Sequence, residues 1–92
     1  MAEQKMCRMT QLRLRYGISQ AELANAAGVS RQLISLIELD TASQSIGHEA
    51  LIRRAFSAVI ATRRAALVGL AHELDSVPWL FSMSKEDDEH GF

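Results

Sequence analysis

The sequence predicts an all-α protein: a small helical bundle with two short helices crossing at a tight turn in its centre and a long C-terminal helix. Three observations predict it. Residues 18–38 place two capped apolar repeats on either side of Gly28. From His48 to Val77 there is one interior glycine, Gly69, no proline and many helix-forming residues. Through that stretch, large apolar residues recur at an alternating four-three spacing, the signature of a helical seam. At 92 residues and 48% apolar composition, the chain is long enough for one small domain with a modest core and little stability to spare.

A first helix is expected from about Lys5 to Arg15, with Met9, Leu12 and Tyr16 at helical spacing and Gly17 as its C-terminal stop. Cys7 falls on that helix between Met6 and Arg8, a place suited to packing. As the single cysteine it has no internal disulfide partner. Ser19 and Glu22 then form an S-x-x-E capping box, in which each side chain satisfies an orphan amide at a helix start. Leu23 and Ala24 face inward, and the small side chain of Ala24 allows a second helix to cross closely. Gly28 supplies the positive φ that ends this helix at little steric cost, and Val29 plugs the corner. Ser30 caps the next helix, whose Ile34 and Ile37 face the core. Arg31, Gln32, Ser35 and Leu36 are left on its outer face.

The dense, gap-free pattern S-Q-x-x-L-A-x-x-x-G-V-S-x-x-x-I-S-x-I-E over Ser19–Glu38 resembles the Cro/phage-repressor class of helix-turn-helix proteins, the Xre family. The resemblance spans roughly residues 8–59 and implies a lambda-repressor-like DNA-binding domain. In that class the second helix lies in the major groove with its N-terminal side chains on base edges, and the first crosses the phosphate backbone. By position, Arg31 and Gln32 are the implied base readers. Arginine pairs bidentately with guanine and glutamine with adenine, each worth about 1 to 3 kcal/mol of discrimination. Ser35 and Leu36 are further candidates, Leu36 against a thymine methyl. Gln20 and Ser30 fall where phosphate is held at helix N-termini. The resemblance also pairs Arg13 with Glu38, an ion pair that orients the reader helix and is structural whether or not DNA is bound. In the polar segment from Asp40 to Gly47 it implies backbone contacts from Thr41, Ser43 and Gln44. Here the chain departs from the family pattern. Asp40 stands where a glycine is usual, there is no loop proline, and a carboxylate at that point would repel phosphate.

Charge divides the chain in two. Residues 1–64 hold nine basic against five acidic groups, and residues 65–92 hold Lys85 against six acids, for a net charge of −1. A mildly basic head gives limited phosphate neutralisation, so affinity should fall with salt along a shallow slope.

After the loop, Phe56, Ile60, Leu67, Leu70, Leu74 and Val77 continue the seam, interrupted only by Arg63. A single helix of this length outreaches the small core and leaves an apolar stripe, which predicts a homodimer. The other outcome is a break near Ala61-Thr62, with Thr62 capping a helix that folds back. Arg63 and Arg64 are then either solvated or aimed at phosphates. Pro78 stops the helix. The apolar segment Trp79–Met83 is costly to leave wet, so it is expected to dock on its own domain, across the dimer interface with Trp79, or on a partner protein. The expected division is therefore a DNA-binding domain at 1–61, a helical dimerisation extension at 62–83 and an acidic, disordered tail at 84–92. That tail acts either as a solubility segment or as a competitor with DNA.

His48, His72 and His90 are scattered without metal-ligand spacing, and neither His48-Glu49 nor His72-Glu73 extends to H-E-x-x-H. There is no phosphate loop or nucleophile elbow, so neither an enzyme, nor a metal, nor a cofactor is expected. Nor is there a membrane span or an export signal, and the expected setting is cytoplasmic. The expected partners are double-stranded DNA and a second copy of the chain. The competing expectation is an antitoxin or adaptor that holds another protein through its C-terminal helix or Trp79 segment, with DNA binding secondary or lost.

Overall fold

The computed structural model describes residues 6–83. Four helices follow one another, α1 (Arg8–Arg15), α2 (Gln20–Ala27), α3 (Arg31–Leu39) and α4 (Ile46–Ser76), with a short 3-10 turn at Thr41–Ser43 before α4. Leu23, Ala24, Ile34, Ile37, Ile52, Ala55 and Val59 converge with Ile18 to form the buried core, so α2 sits between α3 and the N-terminal half of α4.

Local chemistry sets each boundary. α1 starts at Arg8, three residues later than its spacing suggests. Cys7 stays extended (φ −71°, ψ 163°), and its thiol turns toward the Thr10 hydroxyl and the Glu38 carbonyl, 3.4 and 3.8 Å away. Thus Cys7 precedes the helix and ties α1 to the end of α3; Lys5, the expected start, lies outside the described residues. Gly17 takes φ +64° after the α1 cap. Ser19 accepts the Glu22 amide at 2.9 Å and Ser30 that of Leu33 at 3.1 Å, so both serines cap their helices. The Ser19 box is one-sided, because the Glu22 carboxylate reaches α4 instead of returning to Ser19.

Gly28 ends α2 at φ +71°, and the Val29 amide bonds back to the Ala24 carbonyl at 3.0 Å, which closes the corner that sets the α2–α3 crossing. A Cβ at Gly28 would meet nothing within 4 Å. Gly28→Ala is therefore expected to cost only the left-handed backbone penalty, about 1 to 2 kcal/mol. A urea titration checks this, and a larger loss would mean that the corner itself repacks.

α4 is one unbroken helix through Ala61 and Thr62. Nothing in its sequence removes an amide donor before Pro78, and small alanines at 58, 61, 65 and 66 favour continuation. It starts at Ile46, earlier than the polar loop suggests, because Ser45 accepts the His48 amide at 3.1 Å and draws Gly47 into the first turn. Only the N-terminal half of α4 meets the core. Leu67, Leu70 and Leu74 are exposed, and the molecule extends 54 Å along its longest axis. The Trp79 segment does not dock on its own domain. Trp79 and Phe81 are 63% and 80% exposed and touch each other edge to face at 5.3 Å, because the unbroken α4 carries them beyond the reach of the core. No helix among the described residues is long and apolar enough to cross a membrane.

Candidate nucleic-acid interface

α3 presents two unlike faces. Ile34 and Ile37 are buried, while Arg31 and Gln32 in the first turn are exposed, Ser35 is half-buried and Leu36 is 48% exposed. Ser30 uses a lone pair for its cap, which leaves the hydroxyl proton available to an acceptor from outside.

The far end of α3 is held by a buried polar cluster. Arg13 donates from Nε to Glu38 Oε2 at 2.7 Å, from Nη2 to Oε1 at 3.2 Å, and from Nη1 to the Ile18 carbonyl at 3.0 Å. Gln20 donates its amide to Glu38 Oε1 at 2.9 Å. Glu38 thus accepts three bonds from α1 and α2, in a bidentate geometry of the kind that makes buried charge tolerable. No buried side-chain N or O atom among the described residues lacks a partner. Gln20, implied as a phosphate contact, commits one amide proton to this cluster and keeps one for another acceptor.

The loop is folded inward. Asp40 accepts the Ala42 amide at 3.1 Å and the Ser43 hydroxyl at 3.2 Å, which makes it the cap of the 3-10 turn. Gln44 donates to the Ile37 carbonyl at 2.8 Å. His48 Nδ1 lies 2.6 Å from the Ser43 carbonyl, which can only accept, so that nitrogen carries the proton. Of the three loop residues implied to grip DNA, Ser43 spends its hydroxyl proton and Gln44 one of its two amide protons on the protein, and Thr41 alone is free of such bonds.

Arg63 is only partly exposed and its guanidinium is engaged within the domain. Its guanidinium donates to the Tyr16 and Gly17 carbonyls at 2.7 and 2.9 Å and pairs with Glu22 at 2.8 Å. It therefore caps the C-terminus of α1 and explains the interruption in the α4 seam. A lone arginine at a seam position was the available signal, but its partners lie more than forty residues away along the chain.

With this geometry in place, residues 9–48 match the helix-turn-helix family model, of Cro/C1 type. This segment is a Cro-type helix-turn-helix. Such a helix-turn-helix is a DNA-binding, non-enzymatic domain found in transcription regulation. No curated protein and no solved structure matches the chain. In helix-turn-helix proteins generally the first helix of the motif crosses the backbone and the second enters the groove, and α2 and α3 hold those two positions here. Its corner is Gly28-Val29, and the Arg13–Glu38–Gln20 cluster fixes the C-terminal end of α3 against α1 and α2. Among the described residues no group of three His, Cys, Asp or Glu side chains is placed to hold a metal ion.

Proposed function

We propose that this protein is a sequence-specific transcriptional regulator, a repressor or autoregulator, that binds an inverted-repeat operator as a homodimer. One observation carries the reading: Arg31 and Gln32 stand exposed on the first turn of a helix whose inner face and far end are both locked to the core. A reader helix needs that combination, free side chains on a fixed axis, because base-edge hydrogen bonds tolerate little misplacement. Arg31 reads guanine and Gln32 adenine, with Ser35 and Leu36 at the edge of the footprint. Ser30, Thr41 and the second amide proton of Gln20 meet phosphates. A two-fold dimer presents its reader helices about 34 Å apart, one turn of duplex.

Selection from a random duplex library at near-physiological salt tests this. Wild type should enrich an inverted repeat, and the Arg31→Ala, Gln32→Ala double variant should not. Arg31→Ala alone is expected to cost about 1 to 3 kcal/mol at the correct site and to relax specificity at one position. Equal losses on every sequence would refute base readout. The exposed apolar end of α4 favours a second reading, an antitoxin or adaptor that binds another protein through that surface. No enrichment by wild type, together with a co-purifying heterologous protein, would select it.

A further inference from the structure

Between α1 and α4 lies a groove of about 910 Å³ whose lining includes the apolar side chains of Met9, Leu12, Tyr16, Phe56, Ile60 and Leu67. The charged part of the lining is mainly basic, with Arg8, Arg53, Arg63 and Arg64 against Glu49. Arg53 pairs with Glu49 and Arg63 with Glu22, whereas Arg8 and Arg64 have no ion pair among the described residues. The other end of the same helix has the opposite character. Leu70, Leu74, Val77, Trp79, Leu80 and Phe81 are exposed, Glu73 and Asp75 lie among them, and the sequence continues into Glu86-Asp87-Asp88-Glu89. An apolar cleft with a mainly basic charged lining and an apolar segment with acidic flanks thus occupy one molecule. The unbroken α4 keeps them apart, since its last residue, Ser76, follows Leu67 by nine residues, roughly 13 Å of helix.

We propose that each groove receives the Val77–Phe81 segment of a second copy, so that two chains exchange their C-terminal ends in an antiparallel α4 pair. This rests on the homodimer of the proposed function and specifies how it forms. The seam itself selects the register. A two-fold axis midway between Leu67 and Leu70 sets Leu67 against the partner's Leu70 and Ile60 against the partner's Val77. The partner's Val77–Phe81 segment, which leaves the helix after Ser76, then continues past Ile60 on the Phe56 side of the groove. Moving the axis one seam step toward the C-terminus sets the end of the partner's helix, Val77, against Leu67 and leaves Phe56 and Ile60 without a helical partner. Electrostatic complementarity favours the same occupant, because in this register Arg64 falls level with the partner's Glu73. At 1.5 Å per residue the core-facing levels of the two α4 helices, Ile52 to Val59, then lie roughly 30 to 50 Å apart along the pair. One turn of duplex, about 34 Å, falls within that span.

Trp79 is the single tryptophan, so its emission reports the groove directly. Diluting the full chain while following Trp79 emission, with sedimentation on the same samples, is the test. The expected result is short-wavelength emission in the dimer that moves to longer wavelength with the midpoint of dissociation. Ile60→Asp in the groove and Phe81→Ala in the segment should each weaken the dimer at least about tenfold. Phe81 makes no core contact, so its variant remains folded. A dimer in which Trp79 emits as in water overturns the exchange while leaving the homodimer intact. Short-wavelength emission from a monomer overturns it in favour of fold-back within one chain. A chain monomeric at every concentration removes the homodimer itself.

Discussion

Glu38→Ala is expected to lower folding stability by about 3 to 5 kcal/mol, because it strands the Arg13 guanidinium in a buried site with the Ile18 carbonyl as its remaining partner. The Gln20 amide loses its acceptor in the same step. Against a total of about 5 to 15 kcal/mol for a small domain, this is a large fraction, and the urea midpoint should fall accordingly. Arg13→Ala leaves a buried carboxylate and should cost a similar amount. The double variant should cost much less than the two singles together, since the pair is one unit. A loss of about 1 kcal/mol or less in Glu38→Ala would mean that the pair behaves as a hydrated surface bridge. Under the proposed function, operator affinity should fall with stability, because the cluster fixes the end of α3.

The second large effect separates the two faces of α3. Ile34 is fully buried, and Ile34→Ala is expected to destabilise by about 2 to 5 kcal/mol through lost burial and a residual cavity. Leu36, two residues along and 48% exposed, should change stability by no more than about 0.5 kcal/mol when replaced by alanine. Operator affinity should respond to Leu36→Ala if the side chain meets a thymine methyl. Urea titration of both variants gives the first comparison, and titration of duplex DNA the second. Similar destabilisation by both would mean that α3 does not present the outer face described here.

The two short helices and their corner are legible because their determinants are local. Ser19, Gly28 and Ser30 each act on amides within a few residues, and a three-residue span is visible in a sequence without any fold. Side chains that choose among distant partners are not legible in this way. Glu22 has the sequence of a capping-box partner, yet a guanidinium more than forty residues away offers its carboxylate charge-assisted bonds, and it takes those. Asp40 looks like an obstacle to phosphate and serves as the cap of the turn that follows. Cys7 has helical neighbours in sequence, but its thiol lies against the end of α3.

What the sequence determined by itself is the all-α class, the helix-turn-helix and the separation of a buried from an exposed face on α3, since helical period, capping and the glycine turn are properties of adjacent residues. The tertiary structure alone decided that α4 runs unbroken past Ala61-Thr62, that Ser43 and Gln44 bond inward, and that Arg63 closes α1. It also decided that Trp79 and Phe81 stand clear of the domain. Each of these depends on how far a stiff helix carries a side chain from the core, and on which distant polar group it meets there. A helix rises 1.5 Å per residue whatever its sequence, so reach is set by the fold as a whole, and the separation of the apolar groove from the apolar end of the chain is visible only once α4 is seen to be unbroken.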